Sequence, residues 1–187
     1  MDARETSLPA LEAAVWAELG RAVADHQHPW RTPVLATIAD DRADARTVVL
    51  REVDLHQRQL LIYTDERAAK VPQLLKHPNG TLVMWSPQLG WQLRCQVRLA
   101  LEMSGLASSS RWARVKLSPS ARDYLSPLPP GTALPATAPA PQGGVAPEHA
   151  YFSVISAEVA SIDWLDLHPD GHHRALLCGD ASRWLQP

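Results

Sequence analysis

The sequence predicts a mainly β (α+β) fold, a six-stranded antiparallel β-barrel with peripheral helices. Three observations carry that prediction. Short runs of aliphatic and β-branched residues follow one another at 33–39, 46–53, 59–64, 81–86, 91–103 and 151–167, mostly with turn-forming residues between them. The run at 91–103 alternates: Gln92, Arg94, Gln96 and Arg98 fall on one face, and Leu93, Cys95, Val97 and Leu99 on the other. Helical periodicity is confined to the N-terminus and two short stretches. Sequential, hairpin-linked strands with so few helices close into a barrel.

Element by element, residues 7–26 read as an amphipathic helix. Leu11, Val15, Leu19 and Val23 recur every four residues, Ser7 can cap it and Pro9 is tolerated in its first turn. The strand at 33–39 is followed by an acidic turn at 40–44 and a β-branched strand at 46–53. A short helix at 67–77 carries Pro72 near its start. Residues 108–126 hold one or two short helices around Trp112, Leu117 and Tyr124. Seven of the sixteen prolines fall in 127–147, which reads as an extended surface insertion. After the strand at 151–167, a Pro-Asp-Gly turn leads into a last strand at 173–178.

Composition bounds the function. With 187 residues, 45% hydrophobic and 20% charged, the chain can bury a core without staples. It reads as one domain over 1–187, with an N-terminal helical segment at 1–28 and the insertion at 127–147. A formal charge of −2 provides no global basic field, so no nucleic-acid partner is expected. The first residues lack an apolar signal segment, and no run approaches the roughly 20 apolar residues of a membrane span. No membrane partner is expected, and a cytoplasmic location is. Cys95 and Cys178 form neither a CxxC pair nor a zinc spacing, which fits a reducing compartment. His168, His172 and His173 cluster at the Pro-Asp-Gly turn but lack acidic or cysteine partners at ligand spacing. They read as a hairpin tip, and no metal is expected.

No P-loop, GxGxxG, HExxH or GxSxG motif is present. Instead, cationic and hydroxyl groups gather at strand ends. Arg46 and Arg51 bracket one strand, Tyr63 and Thr64 close the next, and Arg67 and Lys70 open a helix. Cations at a helix start, where the backbone itself favours anions, suit a bound phosphate. Taken alone, the same charges are also what an ordinary solvated surface carries. The polar row from Gln92 to Arg98 suits a wet crevice or a subunit interface.

Arg46-Thr-Val-Val-Leu-Arg51, Tyr63-Thr-Asp-Glu-Arg-Ala-Ala-Lys70 and Gln92-Leu-Arg94 resemble the pyridoxamine 5′-phosphate oxidase-like FMN-binding split-barrel family. The resemblance resumes at Trp112–Tyr124, at Asp163-Trp-Leu, at Arg174 and at the closing Trp184-Leu-Gln-Pro187. It implies an FMN cofactor with its phosphate between Arg46, Lys70 and Thr64, assisted by Arg67. Thr47, Val48, Val49, Leu50 and Arg51 would line the ribityl chain and ring, beside Tyr63, and Gln92 would bond the ring edge. The flavin would lie at a homodimer interface, with Trp164 and Arg174 supplied by the second subunit. The family places a Ser and a basic residue where this chain has Ala68 and Ala69. In the final turn it has a basic residue and a His where Asp170 and His172 stand here. The implied activity is an FMN-dependent oxidoreductase acting on an unidentified small-molecule substrate, with no catalytic acid or base assigned. The alternative is a non-catalytic FMN or haem carrier or sensor on the same barrel.

Overall fold

The computed structural model describes residues 7–134 and 151–187. Part of the proline-rich insertion, 135–147, and the first six residues of the N-terminal segment lie outside the described residues.

Helix α1 spans Leu8–Ala24. The Ser7 side chain accepts from the Ala10 N–H, and Pro9 sits in the first turn, where its missing N–H costs nothing. The helix buries Leu11, Val15, Trp16, Leu19 and Ala22 against the sheet. A single 3-10 turn, Pro29–Arg31, then drops Trp30 fully into the core.

Strands β1 (Val34–Ala39) and β2 (Arg42–Thr47) form a tight hairpin. The acidic turn predicted at 40–44 is thus shorter than expected. Asp40 takes the left-handed conformation, and cross-strand pairing carries Ala43 and Asp44 into the ladder despite their weak strand preference. The single strand expected at 46–53 is divided. After Thr47 the chain leaves β1, and β3 (Leu50–Asp54) pairs instead with β4 (Gln59–Asp65). Helix α2 follows at Lys70–Lys76, then β5 (Asn79–Ser86) and β6 (Trp91–Glu102). Helix α3 (Leu106–Val115) and a 3-10 stretch at Pro119–Tyr124 precede β7 (Phe152–His168), β8 (Gly171–Leu177) and β9 (Arg183–Leu185).

The nine strands among the described residues form one antiparallel sheet in the order β2-β1-β5-β6-β7-β4-β3, with β8 on β7 and β9 on β8. Nine strands rather than six do not change the class. The 17-residue β7 organises the sheet. One edge pairs with β6 along most of its length, while the other pairs first with β4 and then with β8. That change of partner splits the barrel.

The alternation predicted for 91–103 is observed: Leu93, Cys95, Val97 and Leu99 are buried, and Arg94, Gln96 and Arg98 are exposed. The main core joins those residues to Leu35, Leu50, Leu60, Ile62, Leu82, Ile155 and Ile162. A smaller cluster of Leu61, Tyr124, Phe152 and Val154 lies on the opposite face of β4 and β7, with Trp112 and Tyr63 packed against it.

One close approach in the sheet is testable. A Cβ on Gly80 would stand 2.9 Å from Leu99 Cδ1 and 3.0 Å from the Ala36 carbonyl oxygen. Leu99 can rotate away, but a backbone carbonyl in a ladder cannot. Gly80→Ala should therefore destabilise by about 1–3 kcal/mol, the usual range for overpacking. Urea unfolding with an unchanged midpoint would show that β1 and β5 separate freely.

Candidate functional site

The β1–β2 hairpin, the end of β4 and the start of α2 bring three of the expected residues together. Lys70 Nζ donates to Thr64 Oγ1 at 3.1 Å, and Arg46 lies close enough to repel the ammonium. Burial first, and Arg46 second, hold the Lys70 pKa below its ordinary value, while Asp65 opposes the shift. Two cations thus stand together beside a buried hydroxyl, the set of groups a bound anion would need.

Arg46 is itself held firmly. Its Nη1 donates to Thr37 Oγ1 at 2.5 Å and to the Leu35 carbonyl at 3.3 Å. Its Nη2 donates to Asp44 Oδ2 at 2.5 Å and to Gln73 Oε1 at 2.8 Å. The hydrogen bond from Gln73 and the charge of Arg46 keep the Asp44 carboxyl below the usual range, against desolvation. Sequence reading missed Thr37, Asp44 and Gln73. The available signal was Gln73 lying three residues after Lys70, and so on the same helical face.

Arg67, expected to assist the phosphate, is engaged within the chain. It forms a two-pronged ion pair with the buried Asp65, at 3.0 and 2.6 Å. It also donates to the Ser126 carbonyl and stacks over the Tyr151 ring at 3.3 Å. The Tyr151 N–H donates to the Tyr124 carbonyl, and the Glu66 N–H to the Tyr151 carbonyl. Arg67 thus staples both ends of the proline-rich excursion to the loop between β4 and α2.

Tyr63 and Arg51 also engage partners other than Thr64 and Lys70. Strand alternation puts Tyr63 opposite Thr64, where its hydroxyl donates to Glu52 Oε1 at 2.5 Å. A bulge between Leu50 and Glu52 turns Arg51 over the Tyr63 ring, 5.7 Å from its centroid. Glu52 also accepts from Arg111 and Arg114, which fastens α3 to the sheet. Thr47 is exposed on the outer face, and the Leu50 side chain is fully buried. Val48 and Val49 lie between β2 and β3, outside both ladders. Val48 donates to the Pro33 carbonyl.

Register across the sheet sets the other expected contacts. Trp85, Gln92, Leu165 and Arg174 stand in one outward row across β5, β6, β7 and β8. In the next row Asp163 accepts from both Arg94 and Arg174, the latter at 2.9 and 2.7 Å. Burial alone would raise the Asp163 carboxyl, but the bonds from Arg174 and Arg94 hold it below the ordinary range. Val34, Ile38 and Trp85, each about 40% exposed, lie on the same outer face.

Trp164, expected near a flavin, is a core residue of its own chain. It is 0% exposed and packs among Trp91, Trp184 and the main core. Alternation along β7 is the cause: Asp163 and Leu165 face outward, so Trp164 must face inward. Leu165, not Trp164, adjoins Gln92 and Arg174.

A groove of about 520 Å³ lies elsewhere, lined by Glu18, Arg21, Asp25, His28 and Leu89. Its buried Glu18 is already paired with Arg21 and with His28, the latter at 2.6 Å. Among the described residues no group of three or more His, Cys, Asp or Glu is arranged for a metal, and no helix is long and apolar enough to cross a membrane.

Comparison with known proteins agrees with this architecture. Residues 13–101 match the family described as pyridoxamine 5′-phosphate oxidase, FMN-binding domain. A pyridoxamine 5′-phosphate oxidase-related, FMN-binding protein from Nostoc punctiforme PCC 73102 superposes with a TM-score of 0.72 at 25% identity. The match covers 94% of this chain and 96% of that one. PhzG from Burkholderia lata 383, solved with tetrahydrophenazine-1-carboxylic acid, superposes with a TM-score of 0.71 at 17% identity, covering 98% and 94% of the two chains. A FAD-binding protein from Mesorhizobium loti shares the fold at a TM-score of 0.51 and 11% identity, over 83% and 92%. None of the curated proteins matches the sequence. The chain resembles the pyridoxamine 5′-phosphate oxidase-like FMN-binding split barrels, in fold over 94% of its length and in sequence over residues 13–101.

Proposed function

We propose that the protein is an FMN-dependent oxidoreductase acting on a small molecule, and that it works as a cytoplasmic homodimer of single-domain chains. The observation that carries the cofactor is the pair Arg46 and Lys70 beside Thr64. Arg46, though paired with Asp44, still repels the partly buried Lys70 ammonium, and a dianion between the two would relieve that repulsion; a terminal phosphate monoester supplies one. FAD presents a pyrophosphate instead, and the chain has no glycine fingerprint for it.

Bound there, FMN would supply hydride and electron transfer, while the protein supplies binding, orientation and electrostatics. Lys70, Arg46 and the Thr64 hydroxyl would hold the phosphate. The backbone of Val48 and Val49, which lies outside the ladders, would run along the ligand. Gln92 and Arg174 present a donor row on the outer face. Asp163 keeps the Arg174 guanidinium in one orientation there, so its charge is placed without reorganisation. The outer face, with its ordered Arg94–Asp163–Arg174 network and its exposed Val34, Ile38 and Trp85, suits a second copy of the chain. A stable interface of this kind buries above roughly 2,000 Å² in total.

The test is a spectrum and a mass. The purified protein, supplied with FMN, should show flavin absorption, release FMN on heating and sediment as a dimer. Release of FAD, a Soret band, or a monomeric mass with flavin bound would each overturn the corresponding part. Turnover with a reductant and a small-molecule acceptor separates an enzyme from a carrier or sensor.

A further inference from the structure

Arg46 and Lys70 are mounted on different elements, β2 and α2, and they repel each other. Their separation therefore depends on what joins those elements at the charges themselves. Val71 and Leu74, both buried, fasten the body of α2 to the barrel, but neither touches a cation's hydrogen bonds.

Gln73 does. Its Oε1 accepts from Arg46 Nη2 at 2.8 Å and from Thr37 Oγ1 at 2.6 Å. Its Nε2 donates to Asp44 Oδ2 at 2.8 Å, and the same oxygen accepts from Arg46. The amide can sit only one way round, with its carbonyl toward two donors and its NH₂ toward a carboxylate. Because Gln73 lies one turn beyond Lys70, this clamp fixes the helix that carries the ammonium to the guanidinium on the strand.

We propose that Gln73 is a positioning residue of the anion site, setting the distance between Lys70 and Arg46 to suit one phosphate monoester. The inference rests on the reading that this site takes the FMN phosphate. Riboflavin, which has the same ring and ribityl chain but no phosphate, separates positioning from general structure.

The experiment titrates FMN and riboflavin against the parent protein, Gln73→Met, Gln73→Glu and Lys70→Met. Gln73→Met should weaken FMN about tenfold, the worth of one hydrogen bond to a charged group, and leave riboflavin binding unchanged. Gln73→Glu keeps the length but sets a carboxylate against Asp44, so it should weaken FMN at least as much. It also serves as the test if the Met variant does not fold. FMN affinity equal to the parent in the Gln73 variants, with Lys70→Met weakened, would overturn the inference alone. A parallel loss of FMN and riboflavin would also overturn it, because the role would then be structural. Parent-like FMN affinity in Lys70→Met would overturn the reading of the anion site, and the inference with it.

Discussion

Lys70→Met should weaken FMN binding by roughly 10- to 150-fold, corresponding to about 1.5–3 kcal/mol for one charge-assisted contact. The same substitution should make the ligand-free protein slightly more stable. The two effects have opposite signs because, without an anion, desolvation and Arg46 outweigh what Thr64 and Asp65 give the ammonium. Without one, Lys70 is partly desolvated and faces Arg46, with Asp65 giving partial relief. Its pKa is therefore lower folded than unfolded, and the unfolded chain binds more protons between the two values. Stability of the ligand-free protein should rise with pH through that window, up to the ordinary lysine value near ~10.4, and Lys70→Met should abolish the rise. Arg46→Ala should also lose FMN affinity, but without the gain in stability. Its guanidinium bonds Asp44, Thr37 and Gln73, each of which would lose its charged partner. Isothermal titration with FMN, together with thermal melts of the ligand-free variants, checks both. Unchanged FMN affinity in both variants would place the phosphate elsewhere.

The contrast between these two cations marks how far the sequence could be read. Strand identity was legible because alternation is a local property: the buried and exposed sets from Leu93 to Arg98 are those the pattern predicts. Arg46, Thr64 and Lys70 could be named from motifs. Where each side chain points depends on pairing, which is not local. The division of 46–53 into β2 and β3 follows from a change of partner, from β1 to β4, that no propensity encodes. Arg51 escapes simple alternation because a bulge displaces it. Arg67 and Arg46 each pair with an aspartate two residues earlier, Asp65 and Asp44, and no local pattern shows these ion pairs. Asp44 and Gln73 stayed hidden for the same reason, since their meaning lies in contacts across β2 and α2.

Trp164→Ala should be among the most destabilising single substitutions in the chain, costing about 3–5 kcal/mol, the usual range for truncating a buried Trp. The side chain is fully buried at the junction of β6, β7 and β8, edge-on to Trp91 at 5.4 Å and to Trp184 at 6.4 Å. Opening a cavity there removes the contacts that seat the C-terminal Trp184 and support the wall behind Gln92 and Arg174. Trp164→Phe should cost much less. Phe keeps an aromatic ring in the cluster, and the lost indole Nε1 is buried without a hydrogen-bond partner among the described residues. The Phe variant also decides the residue's role. A core residue facing away from the Gln92–Leu165–Arg174 row should leave FMN affinity at the parent value. A large loss of FMN affinity in Trp164→Phe, with little change in urea stability, would return Trp164 to the flavin. Leu165→Arg tests the same geometry from the other side of the strand. Its bulk and charge would enter the outward row beside Arg174, so it should impair flavin binding or dimerisation while leaving the core, and hence most of the unfolding free energy, intact.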